Sequence, residues 1–209
     1  MTAYRAIQRI WARDYLIPWL GTLPARVLDL GCGDGGVAIA FSEAGAGVVG
    51  RDLFRFDWPT GCWELSDARQ PQGGPFDLVV LRDVLEHVCA KGEVLGRAKD
   101  TLGRSGRIFV SFPPYRSPYG GHQQSELHGW WRFLPWLHLH PRLRHIRRTG
   151  LTMRHFESLV RDCGLRIVKK RSFIVRPFVA IRYGLRVVEG RGGELFTGGV
   201  WYLLAKEGE

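Results

Sequence analysis

Apolar and polar positions along the chain fall into short blocks of alternating period. From Tyr4 to Leu20 apolar residues recur near helical spacing, with Pro18 close to the end, which predicts a leading helix. Val27–Leu30 reads as a short buried strand, Val37–Ala44 continues as a helix, and Gly47–Gly50 begins a second strand leading to Asp52. A weaker third strand is expected over Cys62–Leu65, before Asp67. Phe76–Leu81 (FDLVVL) is apolar on both faces and predicts a fourth strand, then a helix from about Val84 to Thr101 with Asp83 as its cap, then a fifth strand at Arg107–Phe112 (RIFVSF). Strand, helix and strand at this rhythm predict a parallel sheet covered on both sides by helices.

The rhythm breaks between Pro113 and Thr149, a stretch rich in Pro, Gly, His and Trp and longer than an ordinary connection in a compact α/β domain. An insertion after a strand, at the ligand-binding edge of an open sheet, is expected to cover a pocket; a flap whose tryptophans fill their own small core is the alternative. Beyond it, Thr152 predicts the cap of a helix running to about Cys163, with Gly164 as its stop. Leu165–Ser172 and Val200–Lys206 predict two late strands. Between them Pro177 opens a segment in which Phe178, Ile181, Leu185 and Val188 share one side of a helical projection, with Arg182 and Arg186 next to them. The 209 residues suit one domain, with a leading helical segment at 1–24 and an insertion at 113–150.

Charge changes the picture locally. The net charge of +10 is concentrated between residues 142 and 191, where 14 Lys or Arg face 3 Asp or Glu. Such a field attracts nucleic acid, anionic lipid or acidic substrates without choosing among them. The amphipathic segment from Pro177 offers a peripheral membrane contact as one reading and ordinary packing on the domain as the other. Cys32, Cys62, Cys89 and Cys163 are isolated, with no metal-ligand spacing, so neither a metal site nor a disulfide framework is expected. No apolar run approaches a membrane span and the start lacks the apolar centre of a signal peptide, from which a cytoplasmic location is expected.

The chemistry is concentrated in VLDLGCGDGG at residues 27–36 and in Asp52. A strand feeding a glycine turn and then a helix builds a cradle for a nucleotide-like ligand: Gly31 and Gly33 permit close approach, and Asp52, nineteen residues beyond Gly33, sits at the second strand tip where it can accept from ribose hydroxyls. The turn lacks both the three-glycine dinucleotide fingerprint and the Gly-Lys-Ser/Thr of phosphate loops. Asp29 and Asp34 oppose a pyrophosphate and favour a cationic nucleoside.

With these residues in hand, the chain resembles the class I S-adenosylmethionine-dependent methyltransferases, in particular the small-molecule branch of ubiquinone and menaquinone type. VLDLGCGDGG resembles the first motif, VVGRDLF the acidic ribose-binding step, LSDARQ the adenine-binding segment, FDLVVLRDVLEHV the fourth strand and its helix entrance, and LGRSGRIFVSFP the fifth strand. The resemblance implies a doubly wound, mostly parallel seven-stranded α/β sheet of Rossmann-like methyltransferase type, with a cap insertion after the fifth strand. It implies that Asp29, Gly31, Cys32 and Gly33 surround the methionine part of S-adenosylmethionine and that Asp52 holds the ribose. Asp67 and Ala68 would meet the adenine, where Asp67 capping a local turn is the other reading; Leu53 would pack on the adenine or on the sheet. Leu81 and Arg82 would lie at the cofactor-facing strand end. The implied reaction is displacement of the sulfonium methyl by a small-molecule or lipid-like acceptor, with oxygen the expected accepting atom and S-adenosylhomocysteine the product. His122, in the GGHQQ segment, is the first candidate base and His87 the second; a loop histidine and a bracing histidine are the respective alternatives. A nucleic-acid methyltransferase and a non-catalytic cofactor-binding or scaffold protein are the competing functions. FPPY at 112–115 follows the fifth strand and begins with an apolar residue, unlike the motif of enzymes that act on base nitrogens, which disfavours a nucleic-acid acceptor.

Overall fold

The computed structural model describes residues 2–58, 63–70, 73–117, 149–190 and 193–208. Among them β1 (Arg26–Leu30), β2 (Gly47–Asp52), β3 (Trp63–Leu65), β4 (Phe76–Arg82), β5 (Leu102–Phe112), β6 (Leu165–Val175), β7 (Val188–Glu189) and β8 (Gly199–Lys206) form one sheet. Its order is β3-β2-β1-β4-β5-β8-β6-β7. The first five strands run parallel, and β8 enters antiparallel between β5 and β6. The carboxyl ends of β1, β2, β4, β5 and β6 therefore share one edge, and β8 starts from that edge at Gly199.

Side chains alternate across the strands. Leu28, Val79, Leu81 and Val110 join one core with Leu95 and Phe156, from α4 (Lys91–Asp100) and α5 (Met153–Asp162). Val27, Leu78, Val80 and Phe109 join the other with Trp11, Phe41 and Phe178, from α1 (Ala3–Trp11), α3 (Gly36–Glu43) and α6 (Pro177–Tyr183). Burial on both faces is why the central strands read as apolar runs instead of alternating ones. The doubly wound α/β reading holds. No helix among the described residues is long and apolar enough to cross a membrane.

Several local expectations need correction. The leading helix passes through a π-helical turn at Ala12–Leu16 and continues as α2 (Ile17–Leu20). The helix expected from Val84 starts only at Lys91: Asp83 takes φ 53°, Leu85–His87 form a single 3-10 turn, and Val88 is extended. Burial of Leu85 and Glu86 turns this segment inward, and the helix has Ala90 at its cap position in place of Asp83. Past Pro177 the helix ends at Tyr183, where Gly184 is left-handed, so Leu185 and Val188 lie beyond its apolar face. Val188 instead begins an eighth, two-residue strand antiparallel to β6, which extends the expected seven-stranded sheet by one edge. The third strand matches except for Cys62, which lies outside the described residues, as do residues 118–148 of the expected insertion and His122.

Candidate functional site

The turn after β1 is folded by its own backbone. Gly31 N and Cys32 N both donate to the Arg51 carbonyl, at 2.7 and 3.1 Å, which fastens the turn to the end of β2. Gly31 has φ 74°, and a Cβ there would lie 2.5 Å from Val84 Cγ2, so any side chain is excluded twice. Gly33, at φ 55°, has nothing within 4 Å of where a Cβ would stand; this side of the turn is open. Gly35 gives way to the Trp63 indole, which stacks on Trp58 at 5.7 Å.

Asp52 closes the opposite wall. One carboxylate oxygen accepts from Gly33 N at 2.9 Å and the other from Phe54 N at 3.0 Å. Trp58 Nε1 donates to the Gly33 carbonyl at 2.7 Å. Cys32 is buried, and its thiol is pushed far up, first by burial and then by Asp29 and Asp52, which leaves it inert as a nucleophile.

Deeper in the cleft, Asp29 and Arg82 stand on neighbouring strands and on the same sheet face, since Asp29 pairs with Val80. Burial pushes the Asp29 carboxyl up to about 7, against the pull of Arg82 and with Asp52 adding to the rise. Burial works against the Arg82 charge as well, but Asp83, Tyr4 and Asp29 outweigh it. The guanidinium lies between the Trp11 and Phe178 rings, at 4.9 and 4.7 Å. Asp29 Oδ2 and Arg82 Nη2 are buried with no hydrogen-bond partner among the described residues. Such atoms carry a desolvation cost that a ligand can relieve. Asp83 sits beside them, 3.5 Å from Arg82 Nη2, 3.4 Å from Arg176 and 3.3 Å from the Ser111 hydroxyl, which donates to it. The buried Glu86 is raised well above the usual carboxylate range by burial and then by Asp83.

The structure thus brings Asp29, Gly31, Cys32, Gly33, Asp52 and Arg82 together at the carboxyl ends of the neighbouring strands β1, β2 and β4. The other expected site residues have these surroundings. Leu81 faces the opposite core, fully buried. The Asp67 carboxylate accepts from Arg69 N at 2.9 Å and from the Arg69 guanidinium, which holds it down to about 2; this is the local-turn reading. Ala68 packs against the core on the α4 side. Leu53 is 60% exposed, which removes packing on the sheet. His87 is half-exposed on the 3-10 turn after β4, its Nε2 3.9 Å from Glu86 Oε1.

A second concavity of about 590 Å³ opens at the same sheet edge, lined by Tyr115, Arg116, Thr152, Glu194, Leu195 and Phe196. Glu194 accepts from Arg116 N at 3.1 Å and from Met153 N at 3.2 Å, so one carboxylate joins the segment after β5, the start of α5 and the turn before β8. Burial raises its pKa while those two amides oppose the rise. Sequence reasoning missed Arg5, Trp58, Trp63, Arg176 and Glu194, because each acts through a partner distant in the chain and belongs to no local pattern.

Comparison with known proteins agrees with this outline. The profile of a family described as a methyltransferase domain matches residues 4–170. The ubiquinone biosynthesis O-methyltransferase of Xylella fastidiosa (strain M23) is 31% identical over 114 residues, 47% of this chain and 46% of that protein. The protein of the same name from Dinoroseobacter shibae is 28% identical over 165 residues, 73% of this chain and 64% of that protein. The matches therefore span less than two thirds of these relatives. Among solved structures, magnesium protoporphyrin IX methyltransferase from Synechocystis PCC 6803 with bound S-adenosylhomocysteine superposes with a TM-score of 0.61 at 18% identity, over 98% of this chain and 86% of that one. The 1,6-didemethyltoxoflavin-N1-methyltransferase of Burkholderia thailandensis gives 0.61 at 20% identity, over 97% and 79%. At such identities the likeness is one of fold.

Proposed function

The chain belongs to the methyltransferase domain family, and on that premise we propose that it transfers a methyl group from S-adenosylmethionine to a small-molecule acceptor. The observation that carries the reading is the buried pair at the cleft floor. An amino-acid end presents an ammonium and a carboxylate close together, and Asp29 Oδ2 and Arg82 Nη2 offer one acceptor and one donor that lack hydrogen-bond partners among the described residues. Ligand binding there exchanges two desolvation costs for two charge-assisted bonds. Asp52 remains the candidate for the ribose hydroxyls, with Gly33 as the open floor between.

Bound S-adenosylmethionine supplies a methyl on a sulfonium, a leaving group that needs no protonation. The protein's task is then to hold the acceptor in line and keep water out. The 590 Å³ concavity is the proposed acceptor site, since its aromatic and aliphatic walls meet polar groups from Arg116, Thr152 and Glu194. Oxygen is the proposed accepting atom, in keeping with the names of the two ubiquinone biosynthesis relatives; the toxoflavin enzyme named above acts on nitrogen. An alcohol or phenol needs a base. His122 and His87 keep that role as proposals; His87 stands half-exposed on the turn after β4.

Calorimetric titration with S-adenosylhomocysteine tests the cofactor, and labelled methyl transfer into extracts of metabolites, lipids and RNA tests the acceptor. Absence of binding by folded protein overturns the cofactor; label recovered only in RNA overturns the small-molecule acceptor. His87→Ala is expected to keep S-adenosylhomocysteine binding within twofold and lower turnover about 100-fold. Unchanged turnover removes His87 as the base.

A further inference from the structure

The helix α1 lies across the glycine turn, and its first residues grip it. Thr2 accepts from Arg5 N at 3.0 Å as the helix cap, and its hydroxyl donates to the Asp34 carboxylate at 2.5 Å. Arg5 is only 7% exposed. Its Nε donates to the Asp34 carbonyl at 2.7 Å, and its Nη2 donates to the Asp57 carbonyl. A Cβ on Gly36 would fall 2.5 Å from the Arg5 carbonyl, so α1 and α3 meet backbone to backbone.

One guanidinium therefore joins the turn that leaves β1 to the loop that leaves β2. These two segments carry Gly33 and Asp52, and their separation sets the width of the proposed nucleoside cleft. The far end of this loop is packed by Trp58 on Trp63, at 5.7 Å, but its start is not. Leu53 and Phe54 are 60% and 70% exposed, so apolar packing does not anchor that stretch, and its position depends on polar ties. Trp58 to Gly33 is one such tie, and Asp52 to Phe54 N is another. Arg5 reaches both segments from a third, and a planar fork with fixed donors suits two carbonyls at once.

We propose that Arg5 is a positioning residue for the cofactor: by bonding the Asp34 and Asp57 carbonyls together it holds the glycine turn and the post-β2 loop at the separation that the nucleoside requires. This rests on the cofactor reading above. The leading segment is then part of the binding site, and it meets Arg82 as well, through the Trp11 ring 4.9 Å from the guanidinium.

The test is calorimetric titration of the full chain with S-adenosylhomocysteine, which reads affinity and stoichiometry separately. Arg5→Ala is expected to raise Kd at least about tenfold with unchanged stoichiometry, as loss of charge-assisted bonds predicts. Arg5→Lys, with a point charge in place of the fork, is expected to raise Kd by more than about twofold but by less than Arg5→Ala does. Arg9→Ala, which removes an exposed ion pair with Glu43 from the same helix, is expected to stay within twofold. Partial unfolding lowers stoichiometry at constant Kd, and that result, or a Kd within twofold for either Arg5 variant, overturns the proposal. Where Arg5→Ala does not fold, Arg5→Lys decides by the same criteria. Failure of the wild type to bind is a different outcome: it removes the cofactor reading, and this inference with it.

Discussion

Asp29 shows how one side chain can trade stability for binding. Its folded carboxyl sits near 7 against an ordinary 3.8, chiefly through burial. A raised folded pKa means that this carboxyl contributes stability fully below about pH 4, and that the contribution is lost as pH rises through about 7. Asp29→Asn removes that loss. In the ligand-free chain the variant is expected to be more stable than the wild type at pH 8, by up to roughly 4 kcal/mol, with the difference fading toward pH 4. Urea midpoints at the two pH values check it. The same variant should bind S-adenosylhomocysteine more weakly at pH 8, because the charge that burial penalises is the one proposed to meet the ammonium. Asp52 is less buried and is already bonded to two backbone amides. Asp52→Ala is expected to weaken cofactor binding by about 10- to 100-fold through loss of charged acceptors, as measured by calorimetry.

At the scale of elements, α5 is held by one aromatic side chain in particular. Phe156 is fully buried, 5.2 Å from the Phe112 ring and 4.6 Å from Tyr202, so this helix is fixed by aromatic packing on β5 and β8. Phe156→Ala is expected to cost about 3–5 kcal/mol in urea unfolding, with a cavity left between the helix and the sheet. Elements like this one are legible in the chain itself, because Thr152, the apolar spacing and Gly164 all signal locally. Thr152 does cap the helix, accepting from His155 N at 3.1 Å. The segment after β4 is not legible in that way. Its residues have helical composition, but the left-handed Asp83 and the inward turn of Glu86 depend on Arg82, Arg176 and Ser111, two of which lie far away in the chain. The short α6 departs from its periodicity for a related reason: the apolar spacing runs on to Val188, yet Gly184 ends the helix and β6 recruits Val188 and Glu189 as a paired strand.

At the scale of the whole molecule, part of the basic region between 142 and 191 is paired with the chain's own groups, mostly at the surface. Lys170 meets Glu157 at 2.7 Å, Arg171 pairs with Glu189, Lys169 donates to the Trp19 carbonyl at 3.1 Å, and Arg176 faces Asp83 at 3.4 Å. That weighs against reading the excess charge as a nucleic-acid surface, and salt-independent methyl transfer to a small acceptor is the matching expectation. Ligand binding should also be visible in global stability. At 100 times its Kd, S-adenosylhomocysteine adds about 2.7 kcal/mol, which for a chain of this size raises Tm by roughly 5–10 °C. Thermal unfolding with and without the ligand measures it.

The run VLDLGCGDGG with Asp52 by itself determined the strand, glycine turn, helix and acidic tip of the cradle, because strand period, glycine conformations and strand length are local properties of the chain. Tertiary structure decided what the cradle is made of beyond that. Leu81 and Arg82 are neighbours in sequence and face opposite cores, since alternate strand residues point to opposite sides and only sheet stacking says which side holds the cleft. Asp67 turned to Arg69, while Arg5, Arg176 and Glu194 gained their roles by reaching across loops and strands. A buried polar group is defined by partners distant in sequence, and those partners exist only once the chain has folded.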